Sequence, residues 1–464
     1  MVFSSIGFLF YFLPVFLLAY LLIPARNAVL LAFSLLFYAI GEGPFLLVLL
    51  GSILINYRLA LLIEREGGGR RWITVGVIAN LGLLGLFKYA AFVTGALGFA
   101  PVLIHLPLGI SFFTFHGLSY LIDVQRGDAR AERSRVDLAL YIAMFPQLVA
   151  GPIVRFKTIV GELHRRRATT ADIAAGIRLL AIGLAQKALL ANTLARPVDA
   201  IFALPPGQVT AGVAWLGAIG YGLQLYYDFC GYSLMAMGLA RMLGLHFPQN
   251  FDHPYASRSV GEFWRRWHIT LSQWFRDYLY IPLGGNRRGP WRTCRNLLIV
   301  FLLCGLWHGA AWTFVAWGLW HGIFLVAERA CRGWLPAWPW LRPLGHLYAL
   351  LVVLVGWVLF RAADFSRAAL LLRAMAGLEE APRAAYTAAW FLTPETTAAL
   401  VAGAIGAVPL VPWLAARAGR LGAGHAGLRH AGAAAAVAVP LCLVLLSAAA
   451  IAASGYNPFL YFRF

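Results

Sequence analysis

Long apolar runs separated by short polar or basic stretches set the pattern of this chain. A membrane-crossing helix needs about 20 mostly apolar residues. On that measure the runs predict spans at 6–24, 28–41, 44–63, 72–98, 136–150, 173–195, 210–240, 295–307, 312–330, 345–360, 392–416 and 431–453. Several are too short for a simple crossing, and LPLGISFFTFHGLSYLIDV at 106–124 is interrupted by glycine. Broken or re-entrant helices are expected, because irregular backbone survives at membrane depth only where protein or water satisfies it. The expected fold is an all-α polytopic membrane protein, with about 11–12 transmembrane or re-entrant helices around a central cavity and one amphipathic interfacial helix.

One domain over 1–464 is the simplest organisation, with 456–464 as a C-terminal aromatic tail. Segments 331–345 and 415–435 read as loops. No convincing internal repeat is present, which weighs against the inverted-repeat transporters. The first apolar run has no cationic leader and no small-residue cleavage site, so it reads as a retained span.

Composition agrees. Of 464 residues, 61% are hydrophobic and 12% charged. Soluble domains carry about 25% charged residues. An ordinary cytosolic enzyme, a disordered chain and a secreted disulfide scaffold are excluded. The formal net charge is +19. The cations sit in short loops, where the positive-inside rule puts them, and no nucleic-acid-binding motif accompanies them. Arg26 and Arg65, Arg70 and Arg71 are thereby expected on the cytoplasmic side, with Met1 outside. If the loop of Arg417, Arg420 and Arg429 is also cytoplasmic, the last span runs outward and the tail ends outside. Cys230, Cys294, Cys304, Cys331 and Cys442 lie in or beside apolar runs with no metal-binding spacing, and read as small buried hydrophobes.

Candidate chemistry concentrates in 251–330. A helix is predicted from Val260 to Tyr280, with Ser259 and Glu262 as its capping box. Phe263, Trp267, Leu271, Trp274 and Tyr278 share one face; Arg266, Thr270, Gln273 and Asp277 share another. Such a helix lies in the interface or roofs a polar cavity. His268 falls on the rim, beside Trp264 and Phe275. On helix geometry alone it reads as a structural histidine.

His308 and His321 each follow strongly apolar sequence. A titratable group inside a membrane is a functional candidate by default, and imidazole titrates nearest neutral pH. The two are 13 residues apart, on roughly opposite faces of a straight helix. A break at His308-Gly309 is expected, with His308 facing a cavity and His321 a core histidine bonded to a backbone carbonyl. No carboxylate or cysteine at ligand spacing joins His268, His308 and His321, so no metal site is expected. Lys88 is expected to snorkel to an interface. Asp123, Gln147, Arg155, Gln224 and Asp228 are polar residues in apolar context whose partners sequence does not reveal. In the tail, Tyr456, Phe459, Tyr461, Phe462 and Phe464 read from spacing as an aromatic interface belt; Tyr461 as a covalent acyl carrier is the alternative.

Several segments together resemble the membrane-bound O-acyltransferases. The nearest likeness is the bacterial branch that includes the membrane subunit of alginate O-acetyltransferase. They are MVFSS, LPLGISFFTFHGLSYLIDVQRG, FPQLVAGPIVRF, LYYDFCGYS, EFWRRWHITLSQWFRDYLYIPLGGNRRG, RNLLIVFLLCGLWHGAAWTFVAWGLWHG and GWVLFRA, running from Met1 to about Ala362. The chain departs from the branch at Cys230 and Leu234, where relatives carry serine and aspartate. The resemblance implies a cavity through the membrane, with acyl donor on the cytoplasmic side and acceptor opposite. It implies His308 as catalytic histidine and His268 as a second catalytic residue. His321, Trp267 and Trp307 are expected around the substrate. NPFLYFRF resembles the aromatic motif of a small D-alanylation protein whose tyrosine is thought to carry the acyl group, which raises Tyr461.

The function expected is O-acetylation of an exported cell-surface polysaccharide such as alginate, in the bacterial cytoplasmic membrane. Acetyl-CoA is the expected donor and no bound cofactor is expected. A periplasmic acetyltransferase partner would pass acetyl to the polysaccharide. Other envelope polymers, a D-alanyl group, and a proton-coupled transporter that uses the histidines as a relay are the competing readings.

Overall fold

The computed structural model describes residues 2–102, 104–331, 342–381, 384–422, 426–458 and 460. The described residues form helices, turns and loops without strands. The protein is an all-α polytopic membrane protein. Among the described residues five stretches are long and apolar enough to cross a bilayer: Arg26–Arg65, Arg70–Ala96, Thr170–Ala203, Arg342–Arg361 and Arg429–Ser454. Pro394–Gly406 and Leu410–Arg420 make a sixth, bent by 64°.

Two compact units are present. The first comprises 1–180 and 232–249, the second 181–231 and 250–464. In the first unit Phe3, Phe8, Phe12, Phe37 and Phe145 interlock, with ring centroids 4.8–6.1 Å apart for the pairs Phe3–Phe8, Phe3–Phe37, Phe3–Phe145 and Phe8–Phe37. Asn56 and Asn80 donate to each other at 3.2 and 2.9 Å, burying two polar side chains as a closed pair. The segment at 106–124 is less broken than expected. Gly109, at φ 74°, packs on the Leu148 carbonyl, where a Cβ would lie 2.3 Å away. Ile110–Arg126 then runs uninterrupted through Gly117. Lys88 does not snorkel outward; it is buried and donates to Ser111 at 3.3 Å. Asp123 pairs with Lys157 at 3.0 Å, and Gln147 donates to the Tyr141 carbonyl.

In the second unit Pro290–His308 and Trp312–Ala330 pack as an antiparallel pair. The contact is backbone to backbone. A Cβ on Gly305 would lie 2.3 Å from the Phe314 carbonyl, and one on Gly318 would lie 2.2 Å from the Phe301 carbonyl. Small residues permit this close approach in apolar surroundings. Each contact glycine opens the same pentapeptide, GLWHG, at 305–309 and 318–322. The stretch 415–435 is not a loop at its described ends. Leu410–Gly422 and Ala426–Ser454 are helical, as its alanines, leucines and arginines favour. Of the expected loop 331–345, positions 332–341 lie outside the described residues.

The glycine contact is testable by thermal unfolding in detergent. Gly318→Ala should cost about 1–3 kcal/mol by overpacking. Gly82→Ala, where nothing lies within 4 Å of an added Cβ, should leave the melting temperature nearly unchanged. Equal melting of the two variants would refute the close approach.

Candidate active site

All of the site described below lies within the second unit. The helix expected at 260–280 is broken. Val260–Arg266 and Ile269–Phe275 flank an extended Trp267 and a left-handed His268, at φ 44° and ψ 55°. Arg276–Tyr280 then winds as a π-helix. A non-glycine residue in the left-handed region costs roughly 1–3 kcal/mol and persists only where its surroundings hold it. The holding segment is 250–252. The Asp252 amide donates to the Arg266 carbonyl and the Ile269 amide to the Asn250 carbonyl, both at 2.9 Å. These bonds serve main-chain groups that the break has freed. Ser259 caps the first piece at 3.0 Å, as its S-x-x-E pattern predicts. Glu328 adds a carboxylate to the Val260 and Gly261 amides, a partner the sequence did not indicate.

Asn250 also orients His268. Its Oδ1 accepts from the Thr270 hydroxyl at 2.9 Å and from the Thr270 amide at 3.4 Å, and lies 3.0 Å from His268 Nδ1. An oxygen facing the ring makes Nδ1 the donor and leaves Nε2 as the basic nitrogen. That Nε2 is buried and has no hydrogen-bond partner among the described residues. Burial pushes the imidazole down to about 3, so the ring is neutral. Its ring neighbours include Phe229 at 4.7 Å and Trp307 at 6.3 Å. The break places the ring beside these two. It also buries Thr270, which the unbroken helix had assigned to the polar face.

His308 stands where expected, as the last helical residue before an extended Gly309. It lines a cavity of about 20 Å³ with Leu225, Phe229, Trp267, Trp317, Trp357 and Phe360. One water needs about 10–15 Å³. Trp307 lies 4.8 Å from the His308 ring and so touches both histidine settings. A second cavity, of about 220 Å³, is lined by Trp264, Phe275, Phe301 and Cys304 with Arg265 and Arg276 among its walls. Cys304 precedes His308 by one turn on the same helix face.

His321 is set apart. Trp317 separates it from His308, at ring distances of 5.3 and 5.0 Å. Trp264, Phe263 and Trp357 complete its cage. Neither ring nitrogen has a hydrogen-bond partner among the described residues, so the expected bond to a backbone carbonyl is absent. The ring edge lies against Gly356, where an added Cβ would stand 2.7 Å from His321 Nε2. Tyr461 lies outside the described residues. The only acid and histidine cluster with metal-ligand spacing among the described residues is Glu132, Asp137 and His164, in the first unit, where His164 pairs with Glu132 at 2.9 Å.

A sequence profile described as MBOAT, the membrane-bound O-acyltransferase family, matches residues 80–368. A probable alginate O-acetylase, AlgI, of Azotobacter vinelandii is 42% identical, with 100% of both chains covered. A protein of the same name in Pseudomonas aeruginosa is 47% identical over 78% of this chain and 72% of its own. A peptidoglycan O-acetyltransferase of Helicobacter pylori is 36% identical over 82% of this chain and 80% of its own.

The neutral His268 makes stability depend on pH. Its folded value of about 3 lies below the ordinary 6.5. As pH falls through that window the unfolded ring binds a proton and the folded one does not. Stability should therefore fall, by at most about 1.4 kcal/mol per pH unit. His268→Gln should lose less melting temperature than the parent between about pH 6.5 and pH 5. The same loss in both proteins would contradict a buried neutral ring.

Proposed function

The chain belongs to the membrane-bound O-acyltransferase family and is an acyltransferase, and from that premise we propose that it moves acetyl from cytoplasmic acetyl-CoA for O-acetylation of an exported cell-surface polysaccharide such as alginate. The observation that carries the reading is His308 at a broken helix end, opening on a cavity walled by aromatic rings. In this mechanism an acceptor hydroxyl attacks the thioester carbonyl carbon while an imidazole nitrogen of His308 takes its proton. The carbon–sulfur bond breaks, and the protonated His308 returns the proton to the departing thiolate. His268 presents a bare Nε2, which suits it to accept from and orient the attacking hydroxyl; a bare nitrogen cannot donate to an oxyanion.

Trp267 would shape the acetyl pocket and Trp307 would keep the two histidines in register. His321 would act as packing behind Trp317. The cavity with Arg265 and Arg276 supports the donor assignment, because apolar walls suit a pantetheine arm and guanidinium groups suit phosphates. Carrying only acetyl through the protein avoids moving a charged nucleotide through hydrocarbon. The cytoplasmic membrane of a bacterium is the natural setting, with Met1 and the tail outside. A periplasmic acetyltransferase partner would receive acetyl, either directly or from Tyr461. In the second case Tyr461 attacks first and holds acetyl as a phenyl ester.

His308→Ala should abolish polymer acetylation with expression and insertion preserved; retained acetylation in that variant would sink the assignment. The Tyr461 step has its own measurement. Protein in liposomes is incubated with acetyl-labelled acetyl-CoA, and intact and peptide masses are compared with Tyr461→Phe. An acetyl adduct on the C-terminal peptide, absent from the variant, is the expected result. Donor consumption without any adduct would mean direct transfer to the acceptor.

A further inference from the structure

Two buried charges in the second unit are not used by the histidine site. Lys187 and Asp228 have side chains only 2% and 4% exposed, and they form an ion pair. Lys187 belongs to the π-helical stretch Gln186–Ala191, in the middle of the Thr170–Ala203 candidate span. Short π-helical turns inside helices are frequent at functional sites. Charged groups at such a position are expensive and are rarely kept without a use.

The pair is not closed on itself. Lys187 Nζ also donates to the main-chain carbonyl of Pro458. The main-chain N–H of Leu460 donates to Asp228 Oδ2 at 3.0 Å. One ion pair thus takes an acceptor and a donor two residues apart in the C-terminal segment, each with the charge that its polarity requires. The residues just before are held as well. Asn192 donates to Asn457 at 3.1 Å, and the Tyr456 hydroxyl donates to Asp199, whose other oxygen takes Arg361. Arg196 donates to the Ser454 carbonyl at 3.2 Å. Leu460 is 2% exposed. An interface belt would leave its backbone to water and headgroups; this backbone is bonded to buried charges. Asp228 is followed by Phe229, which edges His268 and lines the cavity of His308.

We propose that Lys187 and Asp228 form a main-chain socket that seats the C-terminal segment at the wall of the histidine cavity, and that they are positioning residues for acyl transfer. The inference deepens the proposed function and rests on its acyl-transfer site. The socket reads backbone polarity, so it tolerates side-chain change at 460 better than loss of the 460 amide.

Two sets of variants test it in the purified full-length chain in nanodiscs. Leu460→Pro deletes the N–H and leaves the ion pair untouched, whereas Leu460→Ala keeps it. Proteinase K, which cuts after aromatic residues, should trim the tail at Tyr456-Asn457 about tenfold faster in Leu460→Pro than in the parent or Leu460→Ala, as read by intact mass. The exchange Lys187→Asp with Asp228→Lys restores an ion pair of reversed polarity. Neither new side chain can make the segment's bond, so trimming should quicken while the melting temperature holds. In both socket-breaking variants kcat should fall about tenfold with the KM for acetyl-CoA unchanged. Parental trimming in Leu460→Pro, or quicker trimming with parental kcat, would overturn the proposal. If the exchange does not fold, the Leu460 pair decides alone. Absence of a tyrosyl adduct in the parent would remove the carrier step and leave the trimming difference intact, so the two ideas fail separately.

Discussion

A helix interrupted away from water must find protein partners for the main-chain groups it releases, and this site is assembled from such interruptions. At Trp267-His268 the partners come from 250–252, whose amide and carbonyl take the groups freed at Arg266 and Ile269. Asn250 does more than close that account. The same side chain that receives Thr270 holds His268 Nδ1, so the bond that stabilises the break also sets the tautomer of the ring it exposes. At His308 the interruption is simpler. Gly309 leaves the helix in an extended conformation against the Phe314 ring, and the last helical side chain is left at the cavity. Replacing either break by continuous helix would restore main-chain bonds and remove the geometry of the site.

The three histidines show how little the residue type says about its use. His308 reaches a cavity, His268 is aimed by one carboxamide, and His321 is sealed among four aromatic rings. An apolar cage strengthens any polar interaction inside it and makes an unpaired charge costly, so the setting of His268 favours neutral imidazole. Two buried carboxylates are held in complementary form: Asp123 by Lys157, Asp228 by Lys187. The second of these pairs also meets main-chain dipoles of a distant segment, the Pro458 carbonyl and the Leu460 amide.

Apolar periodicity made the helices legible. The prediction 312–330 coincides with Trp312–Ala330, and the stop at His308-Gly309 was visible because two histidines thirteen residues apart cannot share a face of one straight helix. The stop at His268 was not visible. Phe263, Trp267, Leu271, Trp274 and Tyr278 keep helical spacing across it, and all five are buried, so the pattern carries no mark of the break. Only the approach of Asn250, eighteen residues upstream, creates it. Likewise the identical GLWHG runs give no hint that one histidine lines a cavity and the other does not.

By itself the sequence determined what local composition and period can determine: an apolar all-α chain in a membrane, cations between its spans, a family signature, and the histidines worth weighing. The tertiary structure decided which of those histidines has a cavity, which nitrogen is basic, why glycines stand at 305 and 318, and what Lys187 and Asp228 hold. The physical reason is range. Helical propensity and burial are written in neighbours three or four positions apart, whereas a tautomer, a backbone contact or a buried ion pair depends on groups brought together from far along the chain.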